Sequence, residues 1–220
     1  MLQTALRETQ AMSISHIAVL PSQVSDNDII MRIKEGDKDA YGNIMRRYNQ
    51  RLFRIVRSFV TDDAAAMDIV QETHIKAYTK LDTFRGPTGF LTWLATIARN
   101  EALMYLRKHK REVAMSNDEN LGFEYRDTEN KPASHEELPD ALVENQELKH
   151  LLNKNIDKLP EDFRTVFVLR AIEQCSVRSS AQILGIKEET VKTRYFRAKR
   201  LLREEIMAYL KGSGMNIYEF

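Results

Sequence analysis

The sequence has few of the residues that disulfides, tight turns and membrane spans require. A single cysteine excludes an intrachain disulfide and a cysteine-based zinc site, and fits a reducing cytoplasm. Only eight glycines and five prolines interrupt 220 residues rich in Leu, Ala, Glu, Lys and Arg, which favours helices. No apolar run approaches the roughly 20 residues that span a bilayer, and no secretory signal is clear. We therefore predict an all-α cytoplasmic protein without direct membrane insertion.

Charge is unevenly distributed along the chain. The net charge is +1, yet residues 112–150 carry −8 and the remaining residues sum to +9. This asymmetry indicates a polyanionic partner for the basic parts. The acidic stretch has few apolar residues and cannot bury enough surface to fold alone, which is typical of a linker.

Helical periodicity and chain breakers divide the sequence into five segments. Ser25 or Asp26 can cap a first helix, and the Gly/Pro-rich stretch at 84–89 is a loop. A second helical region has a start signal at Leu159-Pro160-Glu161-Asp162, with acids at the positive end of the helix dipole. We predict two helical domains joined by a flexible acidic linker. The predicted segments are a flexible extension (1–25), a first domain (26–111), the linker (112–144), a second domain (145–211) and a tail (212–220).

Residues 177–196 have the spacing of a helix-turn-helix. Ala181 is small enough for two helices to touch, Gly185 makes the turn, and Val191 fills the core between the helices. From Lys192 to Arg203 the second helix has six Lys or Arg residues and no Asp or Glu. A helix that docks in the major groove needs such basic side chains to contact phosphates. A solvated basic helix on a bundle is the alternative. One buried face of this helix is predicted from residues at helical spacing, namely Val191, Tyr195, Ala198 and Leu202.

A second basic helix follows the loop at 84–89. It ends in Arg107-Lys108-His109-Lys110-Arg111, and aromatic residues lie near its start. Aromatics, a loop and a basic helix suit single-stranded DNA, whose bases stack while the phosphates are held electrostatically. Two alternatives stay open. In one, the Lys and Arg side chains only interact favourably with the C-terminal end of the helix dipole; in the other, Phe90 and Trp93 are core residues.

The stretch DIVQETHIKAY places Asp68, Gln71 and Glu72 beside apolar Ile75 on one helix. It could be a plain amphipathic helix. A metal site is excluded because His74 points away from the face that carries Asp68 and Glu72. We find no glycine-rich phosphate loop, no Cys/His cluster and no nucleophile–base pair, and so predict no catalytic residue, cofactor, metal or small-molecule substrate.

Four blocks of the sequence carry a family resemblance: DIVQETHIKAY, FRGPTGFLTWLATIARNEALMYLRK, LPEDFRTVFVLR and LGIKEETVKTRYFRAKRLL. In this order and at these distances they resemble RNA polymerase sigma factors of the extracytoplasmic-function type. The match covers roughly residues 26–210. The resemblance implies a non-catalytic subunit with core RNA polymerase and promoter DNA as partners, while an anti-sigma factor stays open.

The resemblance also implies residue roles. The first domain would dock on the β′ clamp through Asp68, Gln71, Glu72 and Ile75. It would read and melt the −10 element through Phe84, Arg85, Phe90, Arg99, Asn100, Arg107 and Lys108. The β flap is the other polymerase surface that the resemblance implies as a contact. The second domain would read the −35 element through Lys192, Thr193, Arg194, Phe196, Arg197, Lys199 and Arg200.

Some positions depart from the family pattern. His74 stands where the family often has Phe, and Ser179 and Ser180 stand where an acid and Ile are usual. A structural role is the simpler interpretation of His74, and a small buried hydrophobe that of Cys175, with redox chemistry as its alternative. The rival function is a helix-turn-helix regulator that is not a polymerase subunit, but it leaves the loop, its basic helix and DIVQET unexplained.

Overall fold

A computed structural model describes residues 24–86, 89–116 and 146–212, and every regular element in these ranges is helical. The all-α prediction is therefore confirmed. Short 3-10 helices occupy Lys38–Ala40 and Leu81–Thr83, and a π-helical turn, Val168–Ile172, continues the helix Glu161–Phe167. The main helices are α1 Asp26–Lys34, α2 Tyr41–Arg57, α3 Asp63–Thr79, α4 Phe90–Ser116, α5 Gln146–Asp157, α6 Glu161–Phe167, α7 Val177–Leu184 and α8 Glu188–Gly212.

The first part of the predicted linker is helical. Residues 112–116 continue α4 instead of leaving it, and the carboxylate of Glu112 lies 3.8 Å from Lys108 Nζ one turn earlier. Such i,i+4 pairs support an exposed helix beyond its last apolar contacts. The rest of the predicted linker, most of the N-terminal extension and nearly all of the tail lie outside the described residues.

The described residues belong to two compact units that divide between Met45 and Arg46, inside α2. In the first unit, α1 begins with a capping box. The Ser25 hydroxyl accepts from the Asp28 amide at 3.1 Å, and the Asp28 carboxylate accepts from the Ser25 amide at 3.3 Å. The helix buries its three isoleucines, Ile29, Ile30 and Ile33, at the predicted spacing.

In the second unit, α3 packs against α4. Lys76 of α3 joins the two helices, since its ammonium lies 2.5 Å from the Glu101 carboxylate and 3.4 Å from that of Glu72. His74 faces the core and is buried, as its structural interpretation predicted. Among the described residues, no helix has the length and apolar character needed to cross a membrane.

Burial of His74 has a consequence for stability at mildly acidic pH. Desolvation lowers the pKa of this imidazole below its usual value near 6.5. Above pH 6.5 the imidazole is neutral in both states and its contribution to stability is complete. As the pH falls from 6.5 toward the folded-state pKa, the unfolded chain binds the proton first, so we expect stability to fall by up to about 1.4 kcal/mol per pH unit.

Urea unfolding at pH 7.5 and pH 5.5 measures this loss. In His74→Phe the loss between the two pH values should shrink, because the titrating group is gone while an aromatic ring still fills the site. An equal loss in the variant and the natural chain would show that His74 does not carry the effect.

The C-terminal part of the second unit is built around α8, against which α5 and α6 pack. Helix α6 begins at Glu161 directly after Pro160, with Asp162 also in its first turn, as the sequence predicted. Cys175 is buried and burial raises the pKa of its thiol, which agrees with a small core residue. The core contains Ile156, Leu159, Val168, Ala198 and Leu202.

Candidate nucleic-acid interface

Helices α7 and α8 form the predicted helix-turn-helix. Gly185 ends α7 with φ +63°, a left-handed conformation that glycine adopts without steric penalty. The Ile186 amide donates to the Ala181 carbonyl at 3.1 Å, and the Gly185 amide donates to Gln182 at 3.3 Å. This is the Schellman arrangement, which turns the chain sharply into α8. Ala181 is buried as expected.

The inner face of α8 follows the predicted spacing. Val191, Ala198 and Leu202 are buried. Tyr195 is half-buried: its ring centroid lies 6.2 Å from that of Phe167, and the Lys199 ammonium lies 4.8 Å above the Tyr195 ring. Tyr195 is therefore a packing residue that also positions Lys199 of the outer face.

The outer face of α8 is basic and open to solvent. Phe196 is 65% exposed, an unusual exposure for a large apolar ring. Arg200 lies 3.6 Å from Glu204 in an exposed pair that contributes little energy. The exposed members of the predicted −35 set are Lys192, Thr193, Phe196, Arg197, Lys199 and Arg200.

Arg194 differs from the other predicted −35 residues. Its guanidinium is half-buried, and Nη2 lies 2.7 Å from the Asp162 carboxylate of α6. This contact fastens α8 to α6. Binding to DNA through Arg194 would require the pair to open, so the structure favours a positioning role for this residue.

The loop before α4 rests on an aromatic cluster. Phe90 is 3% exposed, and its ring centroid lies 5.4 Å from those of both Tyr48 and Trp93 and 5.1 Å from that of Phe84. The prediction that Phe90 contacts DNA is therefore corrected to a core role, because its ring is enclosed by apolar groups. Phe84 is half-buried at the edge of the cluster, and Arg85 is exposed.

Helix α4 presents most of its predicted DNA-binding residues to solvent. Asn100, Arg107 and Lys108 are exposed. Arg99 is half-buried because α7 packs on α4. A methyl group built on Gly185 would lie 3.6 Å from both terminal nitrogens of the Arg99 guanidinium. The helix-turn-helix turn therefore lies directly against Arg99.

The α3 outer face combines acids with exposed apolar groups. Ile75 is 59% exposed and Met67 is 56% exposed. Positions 67, 68, 71, 72, 75 and 78 follow helical spacing along one side, so the predicted polymerase-binding residues share one surface. The described residues hold no group of three or more His, Cys, Asp or Glu side chains suited to a metal ion. The face consists of Met67, Asp68, Gln71, Glu72, Ile75 and Tyr78, all exposed.

Sequence reasoning missed an arginine cluster that surrounds Glu173. Arg51 and Arg54 of α2 both reach this carboxylate, although more than 110 residues separate them from it. Arg51 and Arg54 lie beside the buried stripe of α2. Arginine is common at such positions on solvated helices, so the sequence alone does not mark these two residues. No local pattern distinguishes a partner so distant in sequence.

Two family models match the chain. "Sigma-70 region 2" matches residues 44–112, and "Sigma-70, region 4" matches residues 150–202. The first match includes residues 90–112 of α4, and the second includes residues 188–202 of α8.

Curated relatives match almost the whole chain. A protein of Haemophilus influenzae named "ECF RNA polymerase sigma-E factor" is 30% identical over 194 residues, which cover 85% of this chain and 98% of the relative. A Salmonella typhimurium protein of the same name is 31% identical over 193 residues, covering 87% of this chain and all of the relative.

Two solved structures share the fold. The sigma factor RpoE of Bartonella quintana, in complex with the anti-sigma factor NepR, has a TM-score of 0.56 and is 28% identical, covering 76% of this chain and 96% of its own. CnrH, solved with the cytosolic domain of CnrY, has a TM-score of 0.54 and is 24% identical, covering 82% and 96%. The second similarity concerns the fold alone.

Proposed function

We propose that this chain binds core RNA polymerase and directs initiation at specific promoters, because the chain belongs to the extracytoplasmic-function family of RNA polymerase sigma factors. The observation that carries this proposal is the presence of two basic DNA-reading helices, α4 and α8, on one chain. The polymerase supplies the chemistry, so we propose no catalytic residue here. We propose that this protein acts in the cytoplasm, where the DNA template lies.

The outer face of α8 is proposed to read the −35 element. Lys192 and Thr193 lie near the N-terminus of α8, the end that reaches base edges when a recognition helix docks in the major groove. Lys199 and Arg200 lie further along, where they meet phosphates. Phe196 is exposed between these groups and suits apolar contact with a thymine methyl group.

Helix α4 and the loop before it are proposed to bind the melted −10 element. Phe84 lies at the edge of an aromatic cluster and could stack on an unpaired base. Arg85, Asn100, Arg107 and Lys108 are exposed to meet the single strand. Phe90 supports the loop from within the core.

The α3 outer face is proposed to dock on the β′ clamp. Its exposed apolar groups, rimmed by Asp68, Gln71 and Glu72, have the composition of a binding surface and not of a solvated helix. The β flap is the proposed contact of the second domain. We also propose an anti-sigma factor as a partner class, since the related protein of Bartonella quintana was solved with one.

One experiment tests the proposed function. The purified chain is mixed with core RNA polymerase and a promoter library, and the transcripts are sequenced. We expect start sites that share −10 and −35 sequences and that need both proteins. DNA binding without transcription would instead indicate a helix-turn-helix regulator that is not a polymerase subunit.

Arg197→Ala is expected to relax discrimination at the −35 element. Arg197 is exposed on the outer face of α8, and loss of one base contact costs about 1–3 kcal/mol. Competition binding with single-base −35 variants measures the effect. The control is Arg203→Ala, an exposed arginine six residues further along α8, which should weaken binding evenly across sequences. Equal effects of both variants on discrimination would show that Arg197 contacts only phosphate.

A further inference from the structure

Lys199 and Arg200 are neighbouring basic residues on the outer face of α8, yet they have different kinds of partner. Arg200 Nε lies 3.6 Å from the Glu204 carboxylate one turn later. The Lys199 ammonium instead lies 4.8 Å from the centroid of the Tyr195 ring one turn earlier. No position one turn before or after Lys199 carries an acid; these positions are Tyr195, Phe196, Leu202 and Arg203. An aromatic ring therefore takes the place that a carboxylate takes beside Arg200.

The Tyr195 ring is itself held in place by the helix beneath it. Its centroid lies 6.2 Å from that of Phe167, the last residue of α6. Arg170 Cζ, in the π-helical turn that follows, lies 5.7 Å from the same centroid. Arg170 is fixed in turn, because its Nη1 donates to the Cys175 carbonyl. These contacts restrict the half-buried ring, and so they also restrict the position at which Lys199 rests on it.

An aromatic ring holds a cation without neutralising it. The negative face of the ring attracts an ammonium group through its quadrupole, but the ring carries no net charge. A carboxylate partner, such as Asp162 beside Arg194, cancels the charge and has to be displaced before a phosphate can bind. A lysine without any partner keeps its charge but loses its rotamer freedom when it becomes fixed on DNA. Lys199 on the Tyr195 ring keeps its full charge and has already lost part of that freedom.

Lys199 lies where a DNA backbone is expected to pass. The side chain is exposed and follows Lys192 by seven residues, a spacing that places both on one side of α8. Within the described part of the chain, neither Lys199 nor Arg170 forms an ion pair with a carboxylate. An exposed ammonium group that is oriented and not neutralised on a recognition helix suits a phosphate oxygen.

We infer that Tyr195 is a positioning residue for DNA binding, whose ring holds the Lys199 ammonium in place to contact a phosphate of the −35 element. Phe167 and Arg170 keep the ring in its position. The identity of the phosphate as promoter DNA rests on the proposed function, whereas the contact between ring and ammonium in the free chain does not.

The test weakens the face of the ring and leaves its size nearly unchanged. Position 195 receives Phe or its mono-, di- and trifluorinated analogues, because each fluorine withdraws electron density from the ring face. The affinity of the chain, bound to core RNA polymerase, is measured for a promoter selected in the transcription experiment. Tyr195→Phe should bind almost normally. Fluorination should then lower the affinity stepwise by about two- to fivefold in total, as expected for an exposed cation–π contact.

Two lysine variants provide the matched controls. In Lys199→Gln the fluorinated series should be flat, because no ammonium group rests on the ring. In Lys192→Gln, which removes an equal charge from an exposed site on the same side of α8, the stepwise fall should persist. Lys199→Gln should also reduce the slope of log affinity against log salt concentration by about 0.9, the value for one lost phosphate contact.

Each outcome decides a different point. A flat series in the natural chain, or an equal fall in Lys199→Gln, overturns the positioning role of Tyr195. An unchanged salt slope in Lys199→Gln overturns the phosphate contact. Failure of the natural chain to bind core RNA polymerase would refute the proposed function, and nuclear magnetic resonance of the free chain would still decide whether the ring holds Lys199.

The resonance experiment needs neither polymerase nor DNA. The ring face shields protons that lie above it, so the side-chain protons of Lys199 nearest its ammonium group should resonate upfield of those of Lys192. Tyr195→Leu should abolish this difference while the circular dichroism spectrum stays unchanged. Equal chemical shifts of the two lysines in the natural chain would overturn the contact itself.

Discussion

Ile75→Glu is expected to reduce the affinity of the protein for core RNA polymerase by about 30-fold or more. Ile75 is 59% exposed at the centre of the α3 outer face, between Glu72 and Tyr78. A central apolar residue of an interface contributes about 2 kcal/mol or more when lost, and a buried carboxylate adds a desolvation cost. Equilibrium binding to labelled core enzyme measures the change, and promoter-dependent transcription should fall with it.

Met31→Glu is the matched control for this experiment. Met31 of α1 is also 59% exposed, so the same charge is introduced at an apolar site of equal accessibility outside the α3 outer face. We expect near-normal polymerase binding from this variant. If both variants lose affinity equally, added negative charge and not the α3 outer face explains the loss.

Asn100→Ala is expected to impair opening of the −10 region. Asn100 is exposed on α4, and Arg99 Nη1 reaches its side-chain oxygen only at 3.5 Å, so the amide is available for a base. Loss of such a contact costs about 1–3 kcal/mol, which corresponds to at least a fivefold loss of open complex. Permanganate reactivity of unpaired thymines near −10 measures the melted fraction.

A promoter with a permanently unpaired −10 region distinguishes a defect in melting from a lost contact with the melted strand. If Asn100 acts only in melting, the premelted template should restore most of the transcription lost by Asn100→Ala. Unchanged permanganate reactivity on the ordinary promoter would show that the −10 reader lies elsewhere. Continued loss on the premelted template, with a circular dichroism spectrum like that of the natural chain, would show that Asn100 contacts the melted strand.

Elements set by short-range chemistry were predicted correctly. Gly185 makes the turn because a left-handed residue after α7 favours glycine, and Ala181 and Val191 are buried because their spacing places them between two helices. Pro160 precedes α6 for an equally local reason. In each case the deciding interactions act within about ten residues.

The surroundings of other predicted site residues depend on neighbours that are distant in sequence. Phe90 was predicted to meet DNA, yet Tyr48, Phe84 and Trp93 enclose its ring. Arg194 belongs to the basic stretch by sequence, but Asp162 on another helix engages it. Each of these outcomes depends on which helix packs beside the residue.

The sequence by itself determined the helical class, the helix-turn-helix and the basic outer face of α8, because helical periodicity and turn chemistry are encoded within a few turns of chain. Only the tertiary structure decided that Glu173 meets Arg51 and Arg54 and that Arg99 lies under the turn at Gly185. These contacts join residues more than 80 positions apart. Their energy comes from desolvation and charge pairing between segments, and no local spacing records which segments will meet.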